Sequence, residues 1–470
     1  MSILGIEKWI KSFNLAPVSD QEYIRQLEST ISIQADQILI LEKKVEQLLL
    51  LLQKAGIKKD SHNSHFPPSK DVFAKKKSLR YLSTRKSGGQ PGHQGHTLEM
   101  SSTPDVSIDL KSVYCSLCGN KLEDATFILR AKRQVVDIPN IPPPVYTEYS
   151  QYSCLCNNCK FEQVVDFPVG VNAPIQYGTS VQAWVSYLSV SHYLPYGRIK
   201  SLLNQLVGIN LSEGSIQNLL KKAANSLRFV YDRIKAEIFT SLMVGSDETS
   251  VKVKGAKHWI WVWQNALNTL IIASANRSYR TIQSVWENGL TDAILVSDRL
   301  SAQLKMPSNG NQVCLAHLLR DSIALDEEEK HPFAQQFIDL LTNVFEFKKI
   351  LIEQNRSCNE KEAPFFENML NELLAIPISK ELYPKTATFQ NSMLKCRNFI
   401  FPCLYYLEVP PDNNGSERAI RNIKVKQKVS GQFISGQDDF CVIRSVIDTF
   451  VKRNLDVLDM LIQSMRVQPE

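Results

Sequence analysis

No apolar run in this 470-residue chain reaches the roughly 18 residues that a membrane-crossing helix needs. The opening residues, Met1-Ser2-Ile3-Leu4-Gly5-Ile6-Glu7-Lys8, lack the basic stretch and apolar core of an export leader. Without export, the ten cysteines are not expected to form a disulfide framework; metal binding or plain burial in a reducing cytoplasm is expected instead. Strong net charge is also missing. The balance is only +6, so any affinity for polyanions has to come from local clustering. Low hydrophobicity is absent too: at 43% hydrophobic residues the chain should fold, and its length suggests roughly two to four domains.

What is present falls into zones. Over residues 20–55, Ile24, Leu27, Ile31, Gln34, Ile38, Leu41, Val45, Leu48 and Leu52 recur at spacings of three and four, the seam of a supercoiled helix. Gln34 is its one polar member, a residue of the kind that fixes register at some cost in stability. An N-terminal coiled-coil helix within residues 1–56 is therefore expected, making the chain at least a homodimer; a helix packed on its own protein is the alternative. Residues 57–100 form a Gly/His/Pro linker with clustered Lys75, Lys76, Lys77, Arg85 and Lys86 and little to build a core. Its charge suits a nucleic-acid backbone, against which such a segment could order.

Residues 101–172 carry Cys115-Ser-Leu-Cys118-Gly119 and Cys154-Leu-Cys156-Asn-Asn-Cys159. Two thiolates on a tight turn can each reach one Zn²⁺ at about 2.3 Å, so Cys115, Cys118, Cys156 and Cys159 are the expected ligands of a single structural ion. Cys154 could replace Cys156. The interval between the pairs reads as a strand and hairpin excursion, giving a zinc-ribbon-like module. Residues 173–240 read as helical, and the turn at Gly208-Ile209-Asn210-Leu211 between two helices has a helix-turn-helix-like outline, shared with many plain connectors.

At Ser241 the period changes. Leu242 to Thr249 is an apolar run ending on acids; Val251 to Lys254, His258 to Trp263 and Thr269 to Ala273 complete a meander. A helix over Thr281–Gly289, a buried strand Ala293–Asp298, and a further strand Gln312–His317 follow. This order is that of a ribonuclease H-like core over 241–450, with a helical insertion at about 321–405 and a C-terminal helix or tail over 451–470. The fold class is thus multidomain α/β. Asp326 to Glu329 reads as a solvated acidic face. Pro410-Pro411-Asp412-Asn413-Asn414-Gly415 is a turn, and a helix capped by Asn414 or Ser416 should hold Glu417 in its first turn. Arg418, Arg421, Lys424 and Lys428 follow Glu417 as expected phosphate contacts. As plain surface, Glu417 would instead pair with Arg421 at i, i+4.

Asp247 and Asp298 at strand ends and Glu417 on a helix would form a catalytic triad of carboxylates. Such a set can bridge two Mg²⁺ or Mn²⁺ ions roughly 3.5–4 Å apart for phosphodiester chemistry. Asp412, close to Glu417, is the rival third acid.

Several segments together resemble the insertion sequence 66 family of bacterial DDE transposases. They are Asn63 to Ser69, Gly88-Gly-Gln-Pro-Gly-His-Gln-Gly-His96, the cysteine pairs, Asp247-Glu-Thr249, Ser297-Asp298, Cys314-Leu-Ala-His317 and Asp412-Asn-Asn-x-x-Glu417-Arg418. The chain departs from the family at His65 and at Gln427 to Phe433, where many members have Arg-Lys-Asn-Trp. Cys314–His317 is read as structural or substrate-facing, not as a metal site. The resemblance implies a bacterial cytoplasmic enzyme that binds its element's terminal inverted repeats, nicks DNA there and joins the ends to target DNA, with room for accessory proteins from the same element. The alternative is a catalytically inactive, dimeric, zinc-containing DNA-binding protein derived from such an enzyme.

Overall fold

The computed structural model describes residues 20–56 and 98–466. The linker cations Lys75, Lys76, Lys77, Arg85 and Lys86 lie outside the described residues. Helix α1 (Asp20–Gly56) is one uninterrupted element, as expected of a stretch free of proline and glycine before Gly56. Its seam residues Leu27, Ile31, Ile38, Leu41 and Val45 are exposed. No helix among the described residues is long and apolar enough to cross a membrane.

Two compact units divide the chain, and the smaller comprises Ser78–Gln176 and Tyr196–Glu213. Its described regular structure is an antiparallel ribbon, β1 (Ser153–Leu155) with β2 (Glu162–Val164), and a helix over Tyr196–Val207. The interval between the cysteine pairs carries no strand over 122–152, against expectation. Pro139, Pro142, Pro143 and Pro144 have no N–H to offer a ladder.

The larger unit takes in α1 and then α2 (Thr179–Ser186), extended by a wide π turn over Tyr187–Ser191. With the Tyr196–Val207 helix counted as α3, α4 (Glu213–Ser226) and α5 (Arg228–Phe239) lead into the sheet. Strands β3 (Met243–Val253), β4 (Ala256–Gln264), β5 (Thr269–Ser274), β6 (Leu290–Ser297) and β7 (Ser308–Val313) lie in the order β5-β4-β3-β6-β7. The first three form an antiparallel meander; β6 runs parallel to β3 and β7 parallel to β6. Lys254 and Gly255 make the β3–β4 turn with φ of 48° and 80°, the two-residue hairpin geometry whose twist matches the strands. A short helix, α6 (Tyr279–Val285), crosses from β5 to β6, and α7 (Ser301–Leu304) precedes β7.

Two expectations need correction. Asp247 does not end its strand: pairing with β6 stops at Ser246–Ser297, whereas pairing with β4 continues to Val253–Ala256. Asp247 therefore lies just where the parallel neighbour turns away, which leaves space beside its carboxylate. Cys314 to His317 is not a strand either, because β7 ends at Val313 and α8 (Leu315–Glu329) begins with Cys314 as its N-cap.

The insertion consists of α8 continued by α9 (Pro332–Glu353), α10 (Glu362–Leu374), α11 (Pro384–Lys395) and α12 (Pro402–Tyr405). Phe333, Phe337, Leu340 and Leu341 pack in one core with Ile294, Val296 and Val313 of the sheet. Burying each such side chain contributes about 1.5–3 kcal/mol. Glu329, expected on a solvated face, is buried. Its carboxylate accepts N–H bonds from Lys385 (3.1 Å) and Thr386 (2.9 Å) and the Thr386 hydroxyl (2.8 Å). These are donors that the start of α11 cannot satisfy internally. Helices α13 (Asn414–Ser430), α14 (Gln437–Lys452) and α15 (Val457–Arg466) close the chain. The outward N–H groups of Thr269 and Ile271 on edge strand β5 donate to Thr449 Oγ1 (3.1 Å) and Ser445 Oγ (2.8 Å) of α14. The edge is thereby closed to another strand.

Lys348 of α9 is buried at 2% exposure and donates to the carbonyls of Cys403 (2.6 Å), Tyr406 (3.0 Å) and Leu407 (3.0 Å). Those carbonyls sit on the segment that leads into the turn before Glu417. Burial lowers the Lys348 amine from its usual range, yet three acceptors surround it. Lys348→Met should lower stability by roughly 2–4 kcal/mol in urea unfolding, because the carbonyls lose their donor in a dry site. An unchanged midpoint would show that water replaces the amine.

Candidate active site

Three elements of the larger unit converge where β6 leaves β3. Asp247 is on β3, Asp298 directly follows β6 in the register position beside it, and Glu417 is in the first turn of α13. Burial pushes the Asp247 carboxyl well above the usual range. The carboxylates of Asp298, Glu248 and Glu417 push it further, against a 2.8 Å hydrogen bond from the Glu248 N–H. Glu248 points to the other sheet face, as the two-residue period requires. There it is held by Arg277 Nε (2.7 Å) and Gln303 Nε2 (3.1 Å). It is therefore committed elsewhere.

The turn before α13 is anchored by Asn413. Its side-chain amide donates to the Ser246 carbonyl (2.8 Å), and its backbone N–H donates to Cys314 Sγ (3.2 Å). Leu315 N–H donates to the Pro411 carbonyl (2.9 Å), tying the start of α8 to the same turn. Asn413, not Asn414 or Ser416, stands at the N-cap, and its side chain serves the sheet instead of the helix. Gly415 is needed for close approach: a Cβ there would meet Gln264 Nε2 at 2.5 Å, and Gln264 Oε1 is held by Lys452 (2.7 Å). Asp412 accepts from the backbone N–H (3.0 Å) and side chain of Asn414, so its carboxylate serves the turn.

Glu417 does not pair with Arg421. Its charged neighbours are His317 Nε2 (3.8 Å) and Arg320 Nη1 (3.7 Å), both on α8. His317 Nδ1 lies 3.1 Å from Asp298 Oδ1. Asp298, Cys314 and His317 bring donor atoms within 4.8 Å of one another. Burial and the Asp298 charge push the Cys314 thiol far up, and it already accepts from Asn413, so it is a packing group. Sequence reasoning missed Asn413, Arg320 and the alignment of His317; the signal available was the C-x-x-H spacing and the repeated asparagine.

A divalent cation fits the carboxylates. Asp298 Oδ1 is buried without an aligned hydrogen bond, and the Asp298, Glu248 and Glu417 charges keep Asp247 raised despite Lys424 nearby, so further positive charge would be favoured there. Hard oxygen donors suit Mg²⁺ or Mn²⁺. Along α13, Glu417, Arg421, Lys424 and Lys428 share one face by helical spacing. Arg418, Arg421 and Lys428 are exposed; Lys424 is committed to the Ser250 carbonyl (2.9 Å), with its amine lowered by burial.

In the smaller unit, Cys115 and Cys156 each open a similar knuckle. Gly119 N–H donates to Cys115 O and Lys160 N–H to Cys156 O (2.9 Å each). The Cys115 thiol is lowered by N–H groups of Cys118 and Leu117, and the Cys156 thiol by those of Cys159 and Asn158. Cys154 lies within β1. Among the described residues, the groups of three or more donors within 4.8 Å do not include these thiols, so the two pairs are not gathered into one ligand set.

The family model for the IS66 transposase family matches residues 174–438, more than half of the chain and a span that includes Asp247, Asp298 and Glu417. The chain belongs to the IS66 transposase family. No curated protein matches it. As an IS66-family transposase it has DNA as its implied partner, and the cysteine pairs and α1 fall outside the matched span.

A carboxyl raised in the folded state costs stability as pH rises from the ordinary carboxylate range to the raised value. In metal-free protein at neutral pH, Asp247→Asn should therefore raise Tm by a few degrees, while Mg²⁺ raises Tm of the parent protein only. A lower Tm for the metal-free variant would contradict this electrostatic account.

Proposed function

We propose that the chain is a DDE-type transposase whose Asp247, Asp298 and Glu417 hold two Mg²⁺ or Mn²⁺ ions in a ribonuclease H-like core. The observation that carries the reading is the half-buried Asp247 carboxyl, beside Asp298 in strand register and raised by burial and by the Asp298 and Glu417 charges. Bound divalent ions would supply positive charge for the attacking and leaving oxygens of a phosphodiester. The protein's own work is to hold three carboxylates from different elements in one place and to offer phosphate contacts along α13. Arg418, Arg421 and Lys428 are suited to that second role by exposure, and Lys75, Lys76, Lys77, Arg85 and Lys86 by charge. Lys424 acts from within, bracing α13 against β3.

The substrate is DNA at the element's terminal inverted repeats, cut and joined through its 3′-hydroxyls to target DNA. In this reading one structural Zn²⁺ would draw together the two pairs, Cys115 with Cys118 and Cys156 with Cys159, which stand apart without it; the matching knuckles and lowered thiols support this. The exposed α1 seam supports self-association through a coiled coil.

Purified protein with Mg²⁺ and element-end DNA should cleave the ends and transfer them. Asp247→Ala, Asp298→Ala and Glu417→Ala should each reduce turnover by at least about a hundredfold while leaving DNA binding intact. Undiminished turnover in any of the three would remove that residue from the centre. Binding without cleavage under every divalent metal would favour the inactive DNA-binding reading.

A further inference from the structure

The geometry points to His317 as the positioning residue of the carboxylate centre, setting the spacing between Asp298 and Glu417 through its two ring nitrogens. The inference rests on the reading of Asp247, Asp298 and Glu417 as the metal-holding set. Asp298 and Glu417 come from elements far apart in sequence, and His317 approaches both: Nδ1 at 3.1 Å from Asp298 Oδ1, Nε2 at 3.8 Å from Glu417 Oε1. A planar ring with nitrogens on two sides is a spacer that a flexible cation is not.

The base of the ring is fixed. His317 lies in the first turn of α8, its N–H donating to the Cys314 carbonyl (3.2 Å). Cys314 Sγ and the Leu315 N–H grip opposite ends of the Pro411–Asn413 turn that launches Glu417. The same short segment thus places the histidine and, through the turn, one of the two carboxylates it faces. At 14% side-chain exposure the ring has little freedom to swing away. Arg320, one turn further along α8 and 3.7 Å from Glu417 Oε1, flanks the same carboxylate. The Nδ1–Asp298 contact is close but not aligned as a hydrogen bond, a common state of catalytic contacts before the full complex forms.

The role differs from that of a metal ligand. Groups that orient ligating carboxylates alter metal affinity by roughly 10–100-fold when removed. The test measures Mn²⁺ binding to full-length protein by electron paramagnetic resonance, independently of DNA cleavage, for the parent, His317→Ala, His317→Asn and Asp298→Asn. His317→Ala should weaken Mn²⁺ binding roughly 10–100-fold. In His317→Asn the amide nitrogen can take the place of Nδ1 but nothing replaces Nε2, so affinity should lie between that of His317→Ala and that of the parent. Parent-like Mn²⁺ binding by His317→Ala, with binding lost in Asp298→Asn, would overturn the positioning role and leave the carboxylate centre standing. Parent-like binding by both would overturn the centre as well. If His317→Ala does not fold, His317→Asn decides: weaker Mn²⁺ binding in a folded protein supports the two-nitrogen spacer, and parent-like binding overturns it.

Discussion

Asn413 joins the parts of the centre. Through one side-chain bond to Ser246 O and one backbone bond to Cys314 Sγ, it fixes the turn before Glu417 to the strand of Asp247 and to the helix of His317. Both bonds are buried, where an unmade hydrogen bond costs about 1–3 kcal/mol. The arrangement is therefore far less forgiving than a surface turn. Gly415 and Gln264 complete the seat by letting the first turn of α13 lie almost in contact with β4. Lys348 acts one layer further out, gathering the carbonyls of the incoming segment.

The need for such bracing follows from electrostatics. Carboxylates repel, and burial makes repulsion costlier because water no longer screens it. Asp247 carries that cost most plainly. Local cations relieve it only in part: Lys424 feels the Asp247 charge but donates to the Ser250 carbonyl, Arg277 serves Glu248, and Arg320 stands 3.7 Å from Glu417. A fold that keeps a partly compensated acidic cluster gives up stability for a cation-binding place, the usual relation between stability and active-site strain.

Much of this frame was legible in the sequence because it depends on local pattern. The α1 helix, the change to a two-residue period at Ser241, the turn near Gly255 and the acid after β6 all depend on neighbours close in the chain. What was not legible depends on distant partners. Asp247 looked like a strand end because its run of apolar residues stops there, but β4 carries the strand on. Cys314 to His317 looked extended, yet β7 ends at Val313 and Cys314 caps a helix. Glu329 looked solvated because its partners at the start of α11 lie beyond a whole helix pair. Glu417 looked ready to pair with Arg421 by spacing, whereas α8 supplies its neighbours. In each case a tertiary contact overrode a sound local rule.

The central claim is that Asp247, Asp298 and Glu417 enclose a place for divalent cations. Anomalous diffraction from crystals grown with Mn²⁺ tests it most directly. The account predicts Mn²⁺ peaks within about 2.0–2.5 Å of carboxylate oxygens from all three residues. Peaks confined to other acids, with these three carboxylates unliganded, would contradict it.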